Sequence, residues 1–156
     1  MRRIFSMILT LVLTISITAC GAKNDASKSE TVGAEGWAED WGITLSVRDV
    51  TSTGLTLICS QNGGIAEGNL ETGSEYRIEK NENGIWQEVK PQGEAVWNMM
   101  AYLIPSNTDT EWTIDWSWLY GELSAGTYRI SKTIIDFKES GGSRSQLYFA
   151  EFEINN

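Results

Sequence analysis

From Ile43 onward the chain alternates apolar and polar residues again and again. Ile43, Leu45 and Val47 share one face of a strand, and Thr44, Ser46 and Arg48 take the other. A period of two is the mark of a strand with one buried face. Asp49 to Gly54 punctuates the pattern, and Leu55, Leu57 and Cys59 form the next inward row. In that row Cys59 reads as a small buried hydrophobe. Gln61 to Gly73, rich in Gly and Asn, reads as a loop. Tyr76 and Ile78 open a hairpin with its turn at Glu82-Asn83-Gly84 and its return strand over 85–89. Asn-Gly is the strongest short-range hairpin signal, because both residues tolerate positive φ.

Pro91 to Glu94 reads as a loop, and Ala95 to Ile104 as a further strand ended by Pro105. After a turn over 106–109, Glu111 to Asp115 resumes the alternation, with Trp112, Ile114 and Trp116 on one side. The pattern predicts one short helical turn next, opened by Asp115 and ended by Gly121. Thr127 to Asp136 and Gln146 to Ile154 are two longer strands. In the last, Tyr148, Ala150, Phe152 and Ile154 make the inward row. The prediction is an all-β sandwich of about seven short antiparallel strands, each sheet with one wet face.

The N-terminal segment is of another kind. Met1-Arg2-Arg3 is followed by an apolar run from Ile4 to Ile17, and Ile17-Thr18-Ala19-Cys20 closes it. A basic start, an apolar core and a small residue before the cut are the parts of a secretory signal. The run is too short and too rich in Ser and Thr to span a bilayer well. The Thr-Ala-Cys ending resembles the lipobox of bacterial lipoproteins, and that resemblance implies a diacylglycerol on Cys20 as the mature N-terminus. Two acyl chains make a stable anchor. The reading is a leader over 1–19, a lipid-anchored flexible tether over 20–36 and one domain over 37–156, held at the extracytoplasmic face of the cell membrane. The tether is small, polar and free of apolar periodicity, so it cannot bury enough surface to fold.

Charge and composition narrow the function. The formal charge is −9, and loss of Arg2 and Arg3 with the leader takes it to −11. So acidic a domain is a poor partner for nucleic acid and favours neutral or cationic ligands. With Cys20 committed to lipid, Cys59 stands alone and no intrachain disulfide forms. Histidine is absent, which excludes Ser-His-Asp and Cys-His catalysis and His-ligated zinc.

Leu119-Tyr120-Gly121-Glu122-Leu123-Ser124-Ala125-Gly126-Thr127-Tyr128-Arg129-Ile130 carries a resemblance. The run Leu-x-x-Gly-x-Tyr-x-Ile before a long strand is similar to the corner leading into the sixth strand of immunoglobulin-like sandwiches. Taken with Tyr76–Lys80, Asn83–Trp86, Asp115-Trp116 and Ala150–Ile154, it resembles a bacterial immunoglobulin-like domain of short lipoproteins, mostly Gram-positive. The resemblance implies that the Tyr128 hydroxyl bonds backbone near Leu123 or Ser124. It implies no activity, cofactor or catalytic residue, since fold alone licenses none. It departs from the antibody pattern, with Ile130 where a cysteine partner for Cys59 would stand.

Seven tryptophans are many for one domain. Trp86, Trp112 and Trp116 fit packing, while Trp37, Trp41 and Trp118 sit outside clear alternation and are the candidate ligand contacts. Asn107, Asp109, Glu111 and Asp115 offer oxygens but match no calcium-loop spacing, and read as a solvated face. No metal, cofactor or catalytic set is expected. The favoured function is a surface module binding a protein, peptide or glycan. The alternatives are a structural or accessory envelope lipoprotein and, well behind, a carboxylate-based hydrolase.

Overall fold

The computed structural model of the chain describes the backbone of residues 29–32 and all of 39–155. The leader, Cys20 and Trp37 lie outside the described residues. The described residues form ten strands and one short helix: β1 (Ser29–Val32), β2 (Ile43–Arg48), β3 (Gly54–Gln61), β4 (Asn69–Thr72), β5 (Arg77–Glu82), β6 (Ile85–Glu88), β7 (Tyr102–Leu103), β8 (Thr108–Asp115), α1 (Ser117–Tyr120), β9 (Gly126–Phe137) and β10 (Arg144–Ile154). They form two antiparallel sheets. The smaller runs β2-β3-β8, and the larger runs β1-β10-β9-β4-β7, with the β5–β6 hairpin also on β9. This is the all-β sandwich that the alternation predicts.

β9 is the spine of the larger sheet. One edge pairs with β10 from Gly126↔Ile154 to Asp136↔Arg144. The other edge carries β5 along its first half and β4 along its second. The inward rows meet between the sheets: Ile43 and Leu45 of β2, Leu55, Leu57 and Cys59 of β3, and Tyr148, Ala150, Phe152 and Ile154 of β10 are all buried. At one end Trp116, Phe152 and Tyr128 stack in series, with both ring-centroid spacings 5.6 Å. The Tyr128 hydroxyl donates to the Ser124 carbonyl at 2.8 Å, which closes the crossing from one sheet to the other. The Trp116 indole N–H donates to the Ser52 carbonyl at 2.9 Å and fixes the same corner from the β2–β3 side.

Four expectations are corrected. Trp41 is 1% exposed and belongs to the core, not to a contact surface. It is the first member of the row Trp41, Ile43, Leu45, so the alternation begins one step earlier than its strand. The stretch 95–104 is strand only at Tyr102–Leu103, because its partner β4 is four residues long and ends at Thr72. Gln61 to Gly73 is not all loop, since β4 lies within it, with Leu70 and Thr72 turned inward. Ser29–Val32, inside the stretch assigned to the tether, pairs with β10 over Ser29↔Ala150 to Val32↔Leu147. Backbone pairing onto an open sheet edge needs no apolar face, which is why hydropathy does not reveal it.

Asp136 is fully buried at the far end of β9. Burial alone would raise its pKa. The backbone N–H groups of Glu67 and Gly68, at 3.2 and 2.6 Å, and the Arg144 guanidinium, at 3.1 Å, outweigh burial and hold it below the ordinary value. The stability it contributes is present above the unfolded-state pKa and is lost as pH falls through the folded one. Urea titration from pH 6 to pH 3 is expected to show a loss of stability that is smaller in Asp136→Asn. At the opposite corner, Tyr128→Phe is expected to cost about 1 kcal/mol in urea unfolding, the worth of one intramolecular hydrogen bond.

Candidate functional site

Among the described residues the smaller sheet stops at β8, which is its edge strand. On the open flank between β8 and the β4 side of the larger sheet lies a cleft of about 450 Å³. That volume falls in the range of about 300–1,000 Å³ typical of small-ligand sites. Its walls are aromatic, and each ring is placed by local structure.

Trp118 comes from α1. The Asp115 carboxylate accepts from the Ser117 N–H at 2.8 Å and from the Ser117 hydroxyl at 2.6 Å, one residue ahead of the N-cap, which is Trp116 and not Asp115 as the sequence predicts. These bonds also hold the Asp115 pKa below the ordinary value. The turn then buries Leu119 and Tyr120 and leaves Trp118 outside, 53% exposed. Trp97 meets Trp118 edge-on at 5.5 Å between centroids, and Tyr76 meets Trp97 at 4.9 Å. Tyr76 is buried; burial first, then Tyr120 and Asp115, raise its pKa, and a hydrogen bond with Trp118 offsets part of the rise. Asn98 staples the segment that carries Trp97. Its carbonyl accepts from Ser74, its side-chain carbonyl from the Met100 N–H, and its amide donates to the Tyr102 hydroxyl.

The remaining wall holds a residue that sequence reasoning missed. Lys132 is 4% exposed, on the inward face of β9. Its ammonium donates to the Gly73 carbonyl and lies 5.6 Å from the centre of the Trp112 ring. Gly73 and Trp112 both line the cleft, and so does Lys132. Burial lowers the Lys132 pKa from 10.5 to about 8, partly opposed by Glu75 and Cys59. At about 1.4 kcal/mol per unit, the buried ammonium costs about 3 kcal/mol of stability at neutral pH. One signal would have found it: Lys132 has the parity of Tyr128, Ile130 and Ile134, the inward row.

The carboxylates around the cleft are already engaged. Glu111 is paired with Arg48 at 2.5 Å, Asp115 is bonded to Ser117, and Glu75 lies 3.4 Å from Arg77. Lys132, by contrast, has no ion pair among the described residues. Of the predicted contacts, then, Trp118 is in the cleft, Trp41 is not, and Trp97, read as part of a strand, takes its place. Asp109, Glu111 and Asp115 are all exposed on β8. Among the described residues no three His, Cys, Asp or Glu side chains group closely enough to hold a metal ion.

A family model described as bacterial Ig-like domain matches residues 39–153. The chain belongs to that family. No curated protein and no solved structure matches it. The Ig-like domain has its sheets in the order β2-β3-β8 and β10-β9-β4 and its tyrosine corner at Tyr128, which accounts for the motif at 119–130. Ig-like sandwiches are generally non-catalytic, and fold by itself assigns no ligand.

Three outcomes are expected. Trp116→Ala is expected to lose about 3–5 kcal/mol of stability, as buried large-to-small changes do, and Trp118→Ala less than about 1.5 kcal/mol, both by urea unfolding. Burial pushes the Cys59 thiol up to about 12, so a thiol reagent at pH 8 is expected to label it slowly in the native domain and fast after denaturation. Lys132→Met is expected to be more stable than the parent at pH 7. For a lysine whose folded pKa lies below its unfolded one, the cost is full below the folded pKa and is relieved as pH rises from about 8 to 10.5. The advantage of the variant is therefore expected to shrink across that window. Cys59 ionises more easily in the unfolded chain, which acts the opposite way, so the comparison between the two proteins is the informative one.

Proposed function

We propose that the chain is a lipoprotein anchored through Cys20 at the extracytoplasmic face of the membrane, and that its Ig-like domain is a binding module for a glycan. The observation that carries the binding half is the Trp97–Trp118 pair at the mouth of the cleft, with Trp118 more than half exposed. An exposed indole backed by a second ring offers a rigid flat apolar face at little entropic cost. A pyranose ring presents C–H groups on one face and hydroxyls around its rim. The rim would find Asn98, Ser74 and Lys132 along the same cleft. The anchor half is supported by Ile17-Thr18-Ala19-Cys20 after an apolar run with a basic start. The domain acts by holding a ligand at the envelope, with no turnover.

Mass spectrometry of the protein from membranes is expected to show a diacylated Cys20 at the N-terminus, and an intact Met1 would overturn the anchor. For the module, tryptophan fluorescence of the full chain is expected to change on titration with solubilised envelope oligosaccharides. Trp118→Ala is expected to weaken binding at least tenfold, about 1.4 kcal/mol, with the fold retained. Hydrolysis of the oligosaccharide by the protein, or unaltered binding by Trp118→Ala, would refute this reading.

A further inference from the structure

We infer that the cleft selects a sugar bearing a single carboxylate, a uronic-acid type of residue, with the carboxylate on the Lys132 ammonium and the ring against Trp118. This rests on the glycan-binding reading and names its ligand class. Three features of the cleft support it.

The first is the state of the cation. Lys132 is buried, yet among the described residues its charge-complementary contacts are a neutral carbonyl, Gly73, and the face of Trp112. An ammonium has three donors, and a buried cation is ordinarily paired. The other titratable groups facing it are Glu75, which acts at longer range, and the Cys59 thiol, which is uncharged at neutral pH. An arriving carboxylate supplies the missing counter-ion at a site where desolvation strengthens the attraction.

The second is the state of the anions. Glu111 and Asp115 line the cleft too, and a bare carboxylate there would repel an acidic ligand. Glu111 is paired with Arg48, while Asp115, bonded to the neutral Ser117, keeps its charge on the exposed side of β8. Among the described residues that line the cleft Lys132 is the one cation, on a domain whose net charge is strongly negative. That contrast limits the ligand to one carboxylate where it docks. A polyanion would meet the field of the whole domain, whereas a single acid group deep in the cleft meets Lys132 first.

The third is energetic. Methionine fills much the same space without a charge, and burial disfavours the charged ammonium. Natural proteins keep such costly groups where function uses them.

The test uses the full chain and two trisaccharides that differ only at the terminal sugar, one a hexuronic acid and the other the hexose with a hydroxymethyl in place of the carboxylate. Calorimetric titration is expected to show the acid binding at least tenfold more tightly, with that preference falling at high salt. In Lys132→Met the two affinities are expected to converge, while Trp118→Ala weakens both. Thermal unfolding of each variant confirms that it is folded. Equal affinities in the parent protein, or a preference that survives in Lys132→Met, would overturn the acid-sugar assignment and leave the glycan module standing. Binding of neither trisaccharide would overturn both. A third probe, a short peptide with a free C-terminal carboxylate against its amide, separates the other source of the same group. Carboxylate-dependent binding of the peptide without the sugar would overturn the assignment in favour of peptide recognition.

Discussion

The pleat of β9 is the constraint on which the rest depends. The strand is hydrogen-bonded along both edges, to β10 on one side and to β5 and β4 on the other. Its register cannot slip by one residue without turning every inward side chain out. Tyr128, Ile130, Lys132, Ile134 and Asp136 are therefore committed to the space between the sheets together. Tyr128 answers this by bonding back to Ser124, and Asp136 by tying down 67–68 and Arg144. Lys132 lies midway, where its parity places a charge against the interior and only the open flank beside β8 gives the ammonium room.

The flank is open because the smaller sheet has three strands and ends at β8. The segment from 95 to 102 lies across part of the gap. It does so through side chains rather than a ladder, with Trp97 turned onto Tyr76 and Asn98 bonding its own neighbours. The result is a pocket walled by strands on two sides and by a pinned irregular segment on the third. Rings placed by such a frame are preorganised for a flat ligand, and little ordering is left for binding to do.

Much of this was legible in the chain. The period of two located β2, β3, β8, β9 and β10 to within a few residues, and Asn83-Gly84, both at positive φ, placed the hairpin. The corner at Tyr128 followed from its surrounding motif. The misses share a cause. Trp41, β4 and 95–104 lie where an element is short or where a side chain, not the backbone, decides the conformation. Lys132 and Trp97 escaped because a lysine in a strand reads as solvent-facing and a tryptophan in an apolar run reads as core. Parity counted outward from Tyr128 and Ile43 would have corrected Lys132 and Trp41. Nothing local would have shown that β8 lacks an outer neighbour, since that depends on how the whole sheet closes. The unpaired state of Lys132 is likewise a property of strands far apart in sequence.

The direction of β1 bears on how the sandwich is held. β1 runs antiparallel to β10 across its middle, with Ser29 opposite Ala150 and Val32 opposite Leu147, on the side of the end where Glu39 meets Arg144. A pull from upstream of Ser29 is thus taken up along the middle of β10, the strand that pairs with β9 over its whole length, rather than at the point where the matched domain begins.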